Sequence, residues 1–371
     1  MVPSEVGMSH CIHSRSRIPR GCSAMLGVVA VVASCAAAGM AEAADGPAGA
    51  TTAWVNVSHE FTEQIGAEGV NPGGLNLVRC QGMIITPTGD TFMHTAQQGI
   101  CVSHDDGTTW AIVDDNGITG RTENAFGFSL AYPYDGRMAF FAYDGADGCS
   151  GGMSIDGGKT WKAFPQYKRG TQYGDLDWAT HDPQTIYAVT HEPFFSLLSS
   201  DGAKTWRRLD DNETGGPVLY WVGVVDATTI VRYHRAGNCI ECSGDAGVTW
   251  APVAYFHVVG ARPVHYGKNL YWTTTTGVIT SSDGKNWTLT GPGAEGAQDG
   301  PYFGTSEQSF MVVTNQQFLE TADGGKTWKA LAPIFTAPDL LRGELAYHGW
   351  DPAHRYLFAS GLSGSVFRLK Y

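Results

Sequence analysis

The chain has 371 residues, a formal net charge of −12 and only 16% charged residues. That balance excludes a basic nucleic-acid-binding surface, whose affinity would rest on lysine and arginine neutralising phosphates. Glycine, at 48 residues, points to a chain of many turns.

The first element is a leader. Arg15, Arg17 and Arg20 form a basic start, residues 24–39 are uncharged, and Ala41-Glu42-Ala43 supplies a small-x-small cleavage pattern. Residues 1–43 are therefore expected to be an export signal, with residues 44–371 forming a single secreted or periplasmic domain. An alternative is a relaxed lipobox, Val32-Ala33-Ser34-Cys35, that would anchor the chain through a lipidated Cys35. The stretch is too short and too rich in small residues for a membrane span, and no later segment is apolar enough for one. Five cysteines follow the leader: Cys80, Cys101, Cys149, Cys239 and Cys242. The last two form a CxxC with neither a helix start nor a second pair nearby, so a structural role is expected.

Past the leader, Ala53-Trp-Val-Asn-Val57 reads as an isolated strand. Gly82–Thr86, Thr91–His94 and Gly99–Val102 read as three more, with a turn at Pro87–Asp90. A strongly patterned turn then follows, Ser103-His-Asp-Asp-Gly-Thr-Thr-Trp110. The same strand, turn and Ser-x-Asp-x-Gly-x-Thr-Trp order returns at Ser154–Trp161, Ser199–Trp206, Ser243–Trp250, Ser281–Trp287 and Thr321–Trp328, at spacings of 38–51 residues. A last unit running from Glu344 to Tyr371 has three strands and no such turn. The period suits a four-stranded blade. Six patterned turns alone would count six blades. The last unit, completed by the N-terminal strand, predicts seven blades closed into a ring without a free sheet edge.

The patterned turn has structural chemistry. Aspartate and serine can bond the backbone of a tight turn, glycine permits positive φ, and tryptophan offers a large apolar face. The pattern resembles the Asp-box, or bacterial neuraminidase repeat, of sialidases, sortilin-type receptors, several polysaccharide lyases and photosystem assembly factors. The resemblance covers residues 79–371 and implies an all-β, seven-bladed propeller. Because this fold hosts unrelated activities, function must come from the site.

In propellers of this kind the patterned turns occupy one face, and ligands take the opposite one. On that opposite face the loops between second and third strands bring His94, Tyr143, His191, Glu192, His234 and Arg235, which are the candidate catalytic residues. The loops entering first strands bring Arg79, Glu123, Asn124, Tyr173, Trp221, Arg262, Arg342 and Glu344, which are candidate substrate-binding residues, with Asp175 and Asp299 beside them. Arginine can clamp a carboxylate in bidentate fashion, aromatic rings stack on sugar faces, and histidine, tyrosine or glutamate can move protons.

The set suits an acidic glycan, uronate- or sialate-containing. The sialidase resemblance implies an arginine triad, for which Arg79, Arg262 and Arg342 are placed, but the only Arg-Ile-Pro lies in the leader at Arg17-Ile18-Pro19. The lyase resemblance implies that Arg235 or Arg79 neutralises a uronate while His94 and Tyr143 exchange protons. A second histidine shortly after the first patterned turn, expected of that class, is missing, and Asn124 is the nearest polar candidate. A non-catalytic binding or assembly module of the envelope or extracellular space is the competing reading. No cofactor is implied, the spacing of His94, His191 and His234 matches no compact metal pattern, and a monomer is expected.

Overall fold

Short runs of β-branched and aromatic residues, each stopped by a glycine-bearing turn, pair with their immediate neighbours along the chain. A computed structural model describes residues 53–67, 80–95, 99–113, 128–142, 149–165, 171, 173–190, 195–209, 221–260, 262–335, 347–360 and 365–371. It opens with β1 (Val55–Asn56) and a helix, α1 (His59–Ala67).

Seven four-stranded antiparallel sheets follow. Blade I holds β2 (Cys80–Ile85), β3 (Thr91–Thr95), β4 (Gly99–Ser103) and β5 (Ala111–Ile112). Blade II holds β6 (Phe128–Ala131), β7 (Met138–Ala142), β8 (Cys149–Ser154) and β9 (Lys162–Pro165). Blade III is β10 (Tyr173–Leu176), β11 (Ile186–Val189), β12 (Ser196–Ser199) and β13 (Arg207–Arg208). Blade IV is β14 (Trp221–Val224), β15 (Ile230–His234), β16 (Cys239–Ser243) and β17 (Ala251–Ala254). Blade V is β18 (Val264–Tyr266), β19 (Asn269–Thr274), β20 (Gly277–Ser281) and β21 (Thr288–Pro292). Blade VI is β22 (Ala297–Phe303), β23 (Phe310–Thr314), β24 (Gln317–Thr321) and β25 (Lys329–Pro333). Blade VII is β26 (Tyr347–Asp351), β27 (Tyr356–Ser360) and β28 (Val366–Lys370), with β1 as its fourth strand.

The chain is thus a seven-bladed β-propeller. The N-terminal strand closes it as the sequence predicted: Val55 lies opposite Arg368 and Asn56 opposite Phe367. The Val57 N–H donates to the Val366 carbonyl at 2.8 Å, and the Val366 N–H donates to Ser58 Oγ at 2.8 Å. A second tie joins blade VII to blade I. His354 Nδ1 lies 2.8 Å from Asp351 Oδ2 and 2.9 Å from Asp106 Oδ1, and the hydrogen bond and charge of Asp351 raise the imidazole pKa. No helix among the described residues is long and apolar enough to cross a membrane.

The patterned turns share one hydrogen-bond scheme. In blade II, Ser154 Oγ donates to Asp156 Oδ1 at 2.8 Å and accepts the Gly158 N–H at 2.9 Å. Asp156 also accepts the Thr160 N–H at 2.9 Å and its hydroxyl at 2.6 Å. The scheme recurs around Asp105, Asp201, Asp245 and Asp323. The turn of blade V is one residue shorter, and Asn286 Nδ2 donates to Asp283 Oδ2 where threonine does elsewhere. Hydrogen bonds from that threonine or asparagine hold the carboxyls of Asp201, Asp245, Asp283 and Asp323 down at about 2. These aspartates are committed to the turn.

The core is divided into seven packets, one between each pair of neighbouring blades. The blade I–II packet buries Ile84, Phe92 and Ile100 against Met138 and Phe140, with Trp161 at its edge. Trp206, Trp250, Trp287 and Trp328 take the same place at the next four junctions. Blade VII has no patterned turn, and Trp350 and Trp54 fill the blade VI–VII packet instead. The last packet joins Phe358 and Val366 to Met83, Ile85 and Met93, with Trp110 beside them.

The glycine of the patterned turn does more than turn the chain. Gly158 has φ +81°, and a Cβ there would stand 2.5 Å from the ring of Phe92 in the preceding blade. Blade spacing therefore depends on a missing side chain. Gly158→Ala is expected to destabilise the protein by about 1–3 kcal/mol, from left-handed backbone strain and overpacking. Chemical denaturation of the two proteins checks this; equal stability would mean that the turn does not set the blade spacing.

Candidate functional site

Four-stranded meanders place the first-to-second and third-to-fourth connections at one end of each blade. The second-to-third and blade-to-blade connections lie at the other. The patterned turns therefore share one end of the ring, and the entries to the inner strands share the opposite end. The inner strands of neighbouring blades touch around the axis, so their inward residues meet in a central channel.

At the patterned-turn end the channel is crossed by the connection after β6. Tyr134 stands at φ +60°. Its ring packs against Tyr266 of blade V and Phe303 of blade VI, and its hydroxyl accepts the Phe303 N–H at 3.0 Å. Tyr132 lies beside it, with the two hydroxyls 2.5 Å apart. Tyr134 of blade II thus reaches blades V and VI across the ring, with Tyr132 bonded to it. Burial pushes Tyr132 up to about 12 and raises Tyr134 further, so both remain neutral phenols.

Near these two tyrosines lies Arg262, just ahead of β18. Its charge is felt by Tyr132, Asp175, Tyr302 and Tyr134, and burial lowers its pKa, yet a guanidinium stays protonated. Nη1 is buried and has no hydrogen-bond partner among the described residues. The residue as a whole is only partly buried. An unmatched buried donor on a cation is costly, of order 1–3 kcal/mol or more, and is rare enough to need an explanation.

Two carboxylate–imidazole pairs stand on the inner strands: Asp175 acts directly on Arg262, and Asp299 is linked to it through Tyr302. Asp175 Oδ2 lies 2.6 Å from His265 Nε2 and accepts the Val224 N–H at 2.8 Å, while Oδ1 accepts Trp178 Nε1 at 2.8 Å. That one carboxylate ties the inner strands of blades III, IV and V. Asp299 Oδ2 lies 2.8 Å from His348 Nδ1 and accepts the Tyr302 hydroxyl at 2.6 Å; Oδ1 accepts the Gly300 N–H. Burial would raise the Asp299 pKa, but the hydrogen bond and charge of His348 outweigh it, and the carboxyl sits below its ordinary value. Burial and the Asp299 charge push the Tyr302 phenol well up. Both carboxylates are thus already engaged by protein donors, and neither makes a hydrogen bond to Arg262.

The candidate residues named from sequence separate into several groups. Arg262 lies in the channel, with Asp175 and Asp299 near it. His94 is fully buried on the second strand of blade I, stacked on Phe140 of blade II with centroids 6.0 Å apart, and does not line the channel mouth. Alternation explains this: both faces of a blade are packed between neighbours, so a strand histidine can be interior. His234 stands at the end of β15 with Nδ1 3.2 Å from Glu241 Oε1, and Arg235 is exposed on the following turn. Tyr173 packs in the blade III–IV junction and Trp221 stacks on Tyr233 at 5.8 Å. Arg79, Glu123, Asn124, Tyr143, His191, Glu192, Arg342 and Glu344 lie outside the described residues.

Sequence reasoning missed Tyr132, Tyr134, Tyr302, His265 and His348. A signal existed for the histidines. Val264-His-Tyr266 and Tyr347-His-Gly-Trp350 place histidine at the second position of an inner strand in two blades. Nothing in Tyr132-Pro-Tyr134 marks a connection that crosses the ring.

No protein-family model matches the chain, and no curated protein does. Among solved structures it is similar to a GH74 xyloglucanase from Xanthomonas campestris, with TM-score 0.53 and 16% identity over 79% of this chain and 43% of that one. It is also similar to a virginiamycin B lyase from Staphylococcus aureus (TM-score 0.49, 10% identity, 86% of this chain and 98% of that one). A third is YCF48 from Cyanidioschyzon merolae (TM-score 0.47, 13% identity, 85% and 98%). The chain spans less than half the length of the xyloglucanase. At these identities the xyloglucanase likeness shows the propeller fold alone.

Arg262 is poorly placed to stabilise the apo fold, since it leaves a buried donor unmatched. Arg262→Met is therefore expected to melt at or above the wild-type temperature, because replacing a buried unpaired charge by an apolar group of similar length removes the desolvation cost. Thermal unfolding followed by circular dichroism checks this. A fall of several degrees would show instead that the guanidinium is a structural tie.

Proposed function

We propose that this chain is an exported Asp-box propeller that takes a carboxylate-bearing glycan, uronate or sialate, into its channel and processes it by acid–base chemistry. The observation that carries the reading is Arg262: a buried guanidinium with an open valence, beside carboxylates that are each occupied by an imidazole. A ligand carboxylate supplies the missing acceptor and charge. Residues 1–43 act as the export signal and residues 44–371 as the mature domain, released outside the cytoplasm; the alternative is cleavage just ahead of a lipidated Cys35, which would keep residues 35–371 and anchor them there.

Arg262 neutralises a uronate carboxylate, which acidifies the adjacent C–H bond. A histidine held by its carboxylate, His348 by Asp299 or His265 by Asp175, accepts that proton. The electron pair forms the new C=C bond as the glycosidic C–O bond breaks, and a neutral phenol, Tyr302 or Tyr132, protonates the leaving oxygen. In hydrolysis the same imidazoles serve water. Arg79, Glu123, Asn124, Arg342 and Glu344, candidates from the sequence alone, are assigned to the flanking sugars.

The test is incubation with a panel of uronate polysaccharides and sialosides. Near-ultraviolet absorbance of an unsaturated uronate reports elimination, and reducing ends without it report hydrolysis. One panel member is expected to be turned over, with Arg262→Met and His348→Gln each slower by about 100-fold or more. Saturable binding without turnover would instead make the chain a binding module. Neither binding nor turnover of any panel member would end the reading.

A further inference from the structure

A second cluster of chemical side chains lies away from the channel, on the hairpin that joins β15 to β16. His234 and Cys239 are directly paired across it, and Glu241 follows two residues later on the same strand face. His234 Nδ1, Cys239 Sγ and a Glu241 carboxylate oxygen all lie within 4.8 Å of one another, with the nitrogen and Oε1 3.2 Å apart. We propose that this hairpin is a zinc site, with His234, Cys239 and Glu241 as its three protein ligands.

Zinc bound at its ordinary distances from nitrogen, sulfur and oxygen sets tetrahedral ligand pairs roughly 3.3–3.8 Å apart. The cluster is close to that geometry and needs only side-chain adjustment to reach it. The donor set is one imidazole, one thiolate and one carboxylate, which a borderline-soft divalent ion accepts. Several local features hold the donors in place. Arg232 Nε donates to Glu241 Oε2 at 2.7 Å, which turns Oε1 towards His234. Arg232 is itself fixed by stacking over Trp250, 4.1 Å from the ring. The Tyr233 hydroxyl donates to Asn238 Oδ1 at 2.7 Å across the tight turn, and Asn238 takes φ +47°.

Gly237 keeps the site open. A Cβ there would lie 3.1 Å from both Cys239 Sγ and His234 Nδ1. Zinc binding would release the thiol proton. With zinc, the thiolate, Glu241 and Arg232 together leave one net positive charge, which suits hydroxide or a ligand oxyanion in the fourth position. The hairpin lies at the same end of the ring as the entries to the inner strands, where such a ligand would arrive.

The CxxC spacing misdirects here. Cys239 and Cys242 are three residues apart on one strand and point to opposite faces; Cys242 Sγ faces the Ser243 carbonyl at 3.5 Å. The motif is therefore two separate thiols, only one of them in the cluster.

The experiment is zinc titration of the chelator-treated protein by calorimetry, with native mass spectrometry for stoichiometry. Cobalt substitution gives an optical signature of a thiolate ligand. One zinc per chain is expected, with a sulfur-to-cobalt charge-transfer band. Cys239→Ser should abolish that band and His234→Ala should weaken zinc by at least tenfold, while Cys242→Ser keeps both. Gly237→Val retains every ligand and should also lose zinc, which guards against a ligand variant that merely misfolds. Absence of zinc uptake by the wild type would overturn the proposal. So would uptake that survives both His234→Ala and Cys239→Ser.

Discussion

One hydroxyl organises each patterned turn. It donates to an aspartate and accepts the N–H of the residue that abuts the preceding blade. The local bonds hold a backbone conformation that a free chain would rarely keep. With the turn fixed, its tryptophan is delivered to the blade junction. Packing there is tight enough that Gly158 cannot carry a Cβ without meeting Phe92. Blade III breaks the rule with Ala203, fully buried at φ +68°, so its turn bears strain that glycine would relieve.

The ring follows from repetition of that junction, and the channel follows from the ring. Arg262, Tyr132, Asp299 and His348 come from four blades, and no local rule of sequence brings them together. Asp175 illustrates the cost and use of this convergence. A carboxylate is taken out of water and repaid by three donors from blades III, IV and V. Arg262 receives no such compensation. Evolution tolerates an unmatched buried donor mainly where something else supplies the partner, and stability is routinely given up at such sites.

The blades were legible because their signal is repeated and mechanical. Ser-x-Asp-x-Gly-x-Thr-Trp names the bonds it makes, and even the shortened Ser281–Trp287 turn keeps them through Asn286. The boxless final unit and the stray strand at Val55 could be joined because each lacked a partner. Side-chain direction was far less legible. In a blade both faces are buried, so the period-2 pattern that separates core from solvent in an open sheet fails. His94 was assigned to the ligand face and lies in the core, whereas His265 and His348, unnoticed on inner strands, face carboxylate partners. The hairpin cluster was legible only in part: His234 was named from the sequence, but the CxxC spacing set Cys239 beside Cys242 instead of beside His234 and Glu241.

Everything described at the axis requires the ring to close on itself through β1 and β28. The register pairs Val55 with Arg368, at a separation of roughly 4.5–5.5 Å between Cα atoms, which a disulfide can span. The decisive measurement is mild oxidation of the Val55→Cys/Arg368→Cys protein, followed by non-reducing electrophoresis, mass mapping and thermal unfolding. A closed propeller gives an intrachain cross-link between these positions in the monomer and a higher melting temperature. Failure to cross-link, or linkage only between chains, would contradict the closed ring and the channel with it.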